Sequence, residues 1–297
     1  MSYVGRFAPS PTGPLHFGSL LAALASFLDA RAQNGQWLVR IEDLDPPREQ
    51  PGASDDILCT LEAYHLTWDG TVLYQSQRGD RYDAALEQLA HQGNAFPCAC
   101  SRKQLQGLPH QGRCATPVNP DHAWRFLCPA GELTLHDGLQ ADHHYDLAED
   151  IGDFVIRRRD RLWSYQLAVV VDDEDQGITH VVRGIDLIDS TARQHLLQQA
   201  LGYHIPACTH LPVATEVNGQ KLSKQNLALP LISDSHTDDT EIVATLWQAL
   251  HWLRQCPPEA LKHESIDGLL DWATHHWQPE VLREITEQPA PVAFQRA

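Results

Sequence analysis

Val4-Gly5-Arg6-Phe7-Ala8-Pro9-Ser10-Pro11-Thr12-Gly13-Pro14-Leu15-His16-Phe17-Gly18-Ser19 runs from an apolar segment through a proline-bound loop to the start of an amphipathic pattern. Val4 to Ala8 suits a short strand. Pro9, Pro11 and Pro14 remove backbone donors and fix φ, so neither a helix nor a central strand continues through them. From Gly18 onward, Leu20, Leu21, Leu24, Phe27, Leu28 and Arg31 recur at helical spacing, and Gly35 is placed to stop the helix. Gln36 to Glu42 then alternates Trp37, Val39 and Ile41 with more polar neighbours, as a strand does. Strand, loop, helix and strand predict a right-handed parallel βαβ unit of the Rossmann type.

A loop that feeds a helix gathers free backbone N–H groups and the positive end of the helix dipole, which is an anion site. Gly13 and Gly18 permit close approach of a phosphate, while His16 and Ser19 add donors. Alone, a glycine and a histidine at a helix start are more often structural. A second candidate is Lys221-Leu222-Ser223-Lys224-Gln225, which follows the turn signal Asn218-Gly219. Lys221 and Lys224 can act as point charges on nucleotide phosphates, with Ser223 between them. The order, phosphate loop after the first strand and lysine loop after the last, predicts two halves of a nucleotide-binding sheet.

Between these loops, Ser54 to Tyr64 and Arg78 to Gln92 carry helical periodicity. Residues 95–160 are rich in Pro, Gly, His and Asp and predict a strand-and-loop insertion. Leu167 to Val171 reads as a continuous buried strand and Ile178 to Val182 as another. Ser190 to Leu201 reads as a helix ended by Gly202, Leu211 to Glu216 as a strand, and residues 239–288 as helical. Trp247, Trp252, Trp272 and Trp277 read as helix-packing residues.

The 297 residues are 42% hydrophobic and 21% charged, an ordinary globular composition. No charged leader with an apolar core opens the chain, and no apolar run approaches the roughly 18 residues that span a bilayer. A cytoplasmic monomer without a membrane partner is expected. The formal charge of −17 argues against non-specific coating of nucleic acid, which needs many cations. Arg157-Arg158-Arg159, followed by Arg161, is the densest basic stretch and reads equally as an exposed strand or turn or as an RNA contact.

Seven cysteines with a cluster at Cys98, Cys100 and Cys114 are better tested as metal ligands than as a disulfide framework. With His110 they offer three thiolates and an imidazole to tetrahedral zinc, although the Cys98-x-Cys100 gap is tighter than in common fingers. His122 and Cys128 are alternatives for the fourth ligand, and reduced cysteines without metal are the plain alternative.

Arg6 to Gly13 with His16 to Ser19 resembles the first signature of class I glutamyl-tRNA synthetases, and Lys221 to Gln225 resembles their second. Arg40-Ile41-Glu42-Asp43-Leu44-Asp45 completes the likeness. The resemblance implies an α/β Rossmann-type class I catalytic domain split by a zinc-bearing insertion, with a short helical C-terminal region. It implies the divisions 1–94 and 165–229 for the two catalytic halves, 95–164 for the insertion and 230–297 for the helical region. The implied chemistry is attack of the glutamate carboxylate on the α-phosphate of ATP, supplied with Mg as substrate. By the same resemblance His16 and Lys224 are catalytic, and His16, Gly18, Ser19, Lys221, Ser223 and Lys224 hold ATP. Arg6, Phe7, Ala8, Pro9, Ser10, Glu42, Tyr165 and Arg183 line the glutamate pocket.

Physical chemistry supports that pocket: arginine binds a side-chain carboxylate bidentately, and Glu42 suits the ammonium group. A plain salt bridge between Arg6 and Glu42 on neighbouring strands is the structural alternative. Two positions depart from the usual signatures, Ser19 for a second histidine and Gln225 for serine. Resemblance also favours structural zinc, with His110 at a position where tyrosine is common. About seventy residues follow Gln225, too few for the anticodon-reading domains of full-length members. The resemblance to short members implies activation of L-glutamate without tRNA and transfer to queuosine in the anticodon of tRNA(Asp). The alternatives are a truncated or divergent synthetase charging the 3′ end of tRNA(Glu), and a non-catalytic tRNA or nucleotide-binding module.

Overall fold

β1 (Val4–Phe7) runs parallel to β2 (Gln36–Ile41), with Arg6 opposite Leu38 and Phe7 opposite Val39, and α1 (Phe17–Ala32) crosses between them. The structure is a computed structural model that describes residues 2–113, 121–216, 219–222, 231 and 238–295. Gly35 is required where α1 turns back to the sheet. A Cβ there would lie 2.7 Å from both the Cβ and the carbonyl oxygen of Tyr3. After α2 (Ala53–Ala63), β3 (Leu73–Tyr74) pairs parallel with the end of β2, and α3 (Gly79–His91) follows.

The expected insertion is antiparallel. β4 (Ala95–Cys98), the short α4 (Arg102–Leu105) and β5 (Ala123–Phe126) lead to the hairpin of β6 (Glu132–Leu135) and β7 (His143–Asp146), and then to β8 (Phe154–Arg157). β5 lies between β4 and β8, antiparallel to both.

Leu167 to Val171 is not a strand. It lies inside α5 (Tyr165–Asp175), with Leu167 through Asp173 all buried. A short run of consecutive apolar residues does not distinguish a strand from a helix buried on all sides. The run continues into Asp172 and Asp173, whose buried carboxylates meet arginines from other elements, so the segment reaches helical length. Parallel pairing resumes with β9 (His180–Gly184), α6 (Ile188–Leu201) and β10 (Ala207–Leu211). Gly202 ends α6 with φ 73°, and the N–H of Thr179 donates to the carbonyl of Val4 at 2.9 Å, tying β9 to β1.

β11 (Val213–Thr215) pairs with β12 (Glu287–Pro289) beyond α7 (Asp239–Trp252) and α8 (Ile266–His275). The expected helical stretch 239–288 is therefore two α-helices joined and followed by 3-10 turns. One apolar cluster joins Leu24 and Leu28 of α1 to Val39 of β2, Leu250 of α7 and Leu269 of α8. A second joins Leu89 of α3, Val170 of α5 and Leu197 of α6 to Phe126 and Phe154 of the insertion. No described helix is long and apolar enough to cross a membrane.

Candidate functional site

The loop after β1 is fixed by backbone bonds to the segment after β2. The carbonyl of Pro9 accepts from the N–H of Glu42 at 3.0 Å, and that of Pro11 accepts from Gln50 at 3.0 Å. His16 then stands at the N-cap of α1, its Nδ1 accepting from the N–H of Ser19 at 3.4 Å. A neutral imidazole that accepts at Nδ1 carries its proton at Nε2. A Cβ on Gly18 would meet His16 Cε1 at 3.1 Å and Nδ1 at 3.2 Å, so the glycine makes room for the ring to fold over the helix start.

His16, Gly18, Ser19 and Lys221 all line one cavity of about 350 Å³, together with Phe7, Pro9 and Ser10. Lys221 is paired there with Asp186. The N–H of Leu222 donates to the carbonyl of Ala214 at 2.8 Å, which ties the lysine segment to β11. Ser223, Lys224 and Gln225 lie outside the described residues, as does Asn218 of the turn.

A second cavity, of about 570 Å³, adjoins the first: Ser10, Thr12 and Leu187 line both. Ala8, Glu42 and Tyr165 reach this second space. Arg6 and Arg183 are not on its wall; they are buried at 4% and 5% exposure. The structural alternative, an Arg6–Glu42 salt bridge, is not formed among the described residues, and Arg6 pairs elsewhere. Arg6 donates through Nε at 3.2 Å and Nη2 at 3.4 Å to Asp173, while Arg40 donates to the same Asp173 at 2.8 Å and approaches Glu42 at 3.5 Å.

Burial works against the Asp173 carboxylate, but the Arg6 and Arg40 charges together outweigh it and hold its carboxyl below the usual range. Glu42 ends on the other side of the balance. Burial raises its carboxyl to about 7 even though Arg40 and Arg6 both lower it. Arg183 is held from several sides, donating to Tyr165 Oη at 3.2 Å, Thr191 Oγ1 at 2.7 Å and Gln194 Oε1 at 2.9 Å. Behind it, Arg183 Nε donates to His210 Nε2 at 3.4 Å, and His210 Nδ1 faces Asp137 at 2.5 Å.

Sequence reading did not single out Asp172, Asp173, Asp137, Thr191, Gln194 or His210. The available signal was the acidic run Asp172-Asp173-Glu174-Asp175 directly after an apolar stretch, since buried carboxylates require cationic partners. Asp172 accepts from Arg78 at 2.6 Å, Gln75 at 2.7 Å and Tyr82 at 2.8 Å.

In the insertion, ligand atoms of Cys98, Cys100 and His110 lie within 4.8 Å of one another, and Cys98 Sγ is 3.5 Å from His110 Nε2. Asp153 orients the imidazole by meeting Nδ1 at 2.8 Å, an arrangement typical of metal-bound histidine. Arg125 donates to Cys98 Sγ at 3.2 Å, a contact that favours the thiolate. The donor set and its carboxylate support therefore fit a thiophilic divalent metal. Cys114 lies outside the described residues. His122 and Cys128, the other candidates for a fourth ligand, are not in the group, and the Cys128 thiol donates to the carbonyl of Leu147 at 3.4 Å.

The basic run is largely engaged within the protein. Arg157 donates to Asp83 at 2.8 Å and covers the Trp163 ring at 4.3 Å, Arg159 donates to the carbonyl of Ala99, and Arg158 meets Asp160 at 2.7 Å.

Comparison with known proteins gives a family model described as tRNA synthetases class I (E and Q), catalytic domain, which matches residues 3–125 and 119–263. The chain is 51% identical over 301 residues to the Glutamyl-Q tRNA(Asp) synthetase of Thiobacillus denitrificans, covering 97% of this chain and 98% of that one. It is 48% identical over 289 residues to the protein of the same name from Neisseria meningitidis serogroup C (strain FAM18), covering 93% of this chain and 95% of the other. The crystal structure of a glutamate tRNA ligase from Elizabethkingia meningosepticum, in complex with its amino acid, superposes with TM-score 0.80 at 24% identity, over 98% of this chain and 68% of that chain. At that identity the likeness speaks for the fold.

Proposed function

The chain belongs to the class I tRNA synthetase family for glutamate and glutamine, and from that premise we propose that it activates glutamate with ATP and transfers it to queuosine in tRNA(Asp). The observation that carries the first step is the meeting of two cavities at Ser10, Thr12 and Leu187. Glutamate lies in the cavity of Glu42 and Tyr165, with its ammonium on Glu42 and its side-chain carboxylate toward the buried Arg6 and Arg183. Phe7, Ala8, Pro9 and Ser10 shape the wall between it and the nucleotide. ATP lies in the cavity of His16, Gly18, Ser19 and Lys221, with Ser223 and Lys224 on the same segment.

A glutamate α-carboxylate oxygen attacks the α-phosphorus, forming a P–O bond as the bond to the β-phosphate bridging oxygen breaks, and pyrophosphate leaves with the electron pair. Positioning and charge stabilisation dominate such a step. His16 Nε2–H and the Lys224 ammonium stabilise the charge that develops on the phosphate oxygens, which makes them the catalytic residues of this reading. In the second step, a hydroxyl oxygen of queuosine attacks the acyl carbon. The bond to AMP breaks, AMP leaves with its electron pair, and the hydroxyl proton is released. Relatives that carry the name of this reaction match 97% and 93% of this chain at 51% and 48% identity, which supports this acceptor over the 3′ end of tRNA(Glu).

Zinc is assigned to Cys98, Cys100 and His110, with Cys114 as the fourth ligand. Bound there, it ties the insertion together as a structural ion. Residues 1–94 and 165–229 are read as the catalytic halves, 95–164 as the acceptor-facing insertion and 230–297 as the helical region. Glutamate-dependent ATP–pyrophosphate exchange without tRNA tests the activation step. Exchange with glutamate alone among the amino acids is expected, and exchange that requires tRNA would contradict the reading.

A further inference from the structure

Besides Glu42 and Tyr165, the 570 Å³ cavity is lined by Asp45, Arg48, Glu49, Arg158 and Trp163, which glutamate activation does not use. Two polar atoms on that wall, Glu49 Oε1 and Ser164 Oγ, are buried and have no hydrogen-bond partner among the described residues. Such atoms are costly to leave unpaired and call for an explanation. Ser164 stands at the N-cap of α5, where a serine hydroxyl ordinarily accepts from the first turn, yet it makes no capping bond. Glu49 forms no ion pair among the described residues. Burial, and then Asp43, raise its carboxyl, while a backbone hydrogen bond from Asp45 lowers it.

The arginines of this lining have a different character. Arg48 and Arg158 both meet Asp45, and Arg158 also meets Asp160 at 2.7 Å while staying about half exposed to solvent. Arg158 also lines an open groove of about 810 Å³ with Arg125, Arg159 and Arg193. In a chain of formal net charge −17, this concentration of guanidinium groups suits a phosphodiester backbone.

We propose that this part of the lining is the acceptor subsite, in which Glu49 and Ser164 grip the vicinal hydroxyls of a cyclic diol and Arg158 holds a neighbouring phosphate. The assignment rests on the reading that the acceptor is a nucleoside of tRNA. A vicinal diol supplies two O–H donors and matching acceptors, which satisfy a carboxylate and a serine hydroxyl together. Bound there, one hydroxyl lies toward Glu42 and Tyr165, where the activated glutamate waits.

The test compares wild type, Glu49→Gln, Glu49→Asp and Ser164→Ala in the full chain. Two rates are measured: glutamate-dependent ATP–pyrophosphate exchange without tRNA, and transfer of labelled glutamate to queuosine-bearing tRNA(Asp). Exchange is expected to stay within about twofold of wild type, while kcat/KM for the tRNA falls at least about tenfold in Glu49→Gln, as loss of a hydrogen bond to a charged group requires. Ser164→Ala is expected to show the same split with a smaller fall, and Glu49→Asp an intermediate one. Transfer that persists in all three variants overturns the subsite and leaves the proposed function standing. Exchange that falls in step with transfer in all three also overturns it, because the residues then serve the fold alone. Absence of transfer by the wild type overturns the proposed acceptor, and the subsite with it.

Discussion

Raising the pH through 7 is expected to switch on glutamate binding by ionising Glu42. Its carboxyl lies at about 7 because burial outweighs the favourable Arg40 and Arg6 charges. One pH unit below that value about a tenth of the chains carry an ionised Glu42, and one unit above about nine tenths do. Only the ionised form pairs with the substrate ammonium, so kcat/KM for glutamate in ATP–pyrophosphate exchange rises about ninefold to tenfold between those points. At saturating glutamate the bound ammonium keeps Glu42 ionised, so kcat changes far less. Glu42→Gln removes the rise and lowers kcat/KM at every pH. The same shift has the opposite sign for stability. Folding favours the neutral carboxyl, so this contribution is fully present below the unfolded value near 4.5 and is lost as pH rises through about 7. It amounts to about 3 kcal/mol, which denaturant titration of wild type against Glu42→Gln measures. A flat kcat/KM profile in wild type, or an unchanged profile in Glu42→Gln, would refute the role given to this carboxylate.

Two further variants test the surrounding framework. Asp173→Asn strips the shared counter-ion from Arg6 and Arg40, whose bonds to it measure 3.2 Å and 2.8 Å. Removing one partner from such a buried cluster costs about 3–5 kcal/mol and lowers Tm by roughly 10 °C, with a raised KM for glutamate; a melt within about 2 °C of wild type would show that the cluster is dispensable. Elemental analysis is expected to find about one zinc per chain, lost on Cys98→Ser and held about tenfold less tightly in Asp153→Asn, where His110 loses its orienting carboxylate. Freshly purified protein without zinc would refute the assignment.

The loop after β1 was legible because its signal is local: the prolines, Gly18, His16 and the helical spacing after them all lie within one βαβ unit. The insertion was legible by contrast, since its Pro, Gly, His and Asp interrupt the α/β rhythm. The support beneath the proposed glutamate pocket was not. Arg6 and Asp173 are 167 residues apart, and Arg40 and Asp173 are 133 apart, so no spacing rule connects them. The same long-range pairing misled the reading of Leu167 to Val171, because the carboxylates that extend α5 inward look, in sequence, like a solvated end. Cys98, Cys100 and His110 are different again. Their proximity was visible in the sequence, whereas Asp153 and Arg125, which orient and polarise them, arrive from the residue before β8 and from β5 and carry no motif.

Transfer of labelled glutamate to tRNA(Asp), prepared with and without queuosine, bears most directly on what this chain does. Label is expected in the queuosine-bearing tRNA alone, at the anticodon and removed with that nucleoside, while the 3′ end stays uncharged. Equal labelling of both preparations, or label at the 3′ end of tRNA(Glu), would contradict the account.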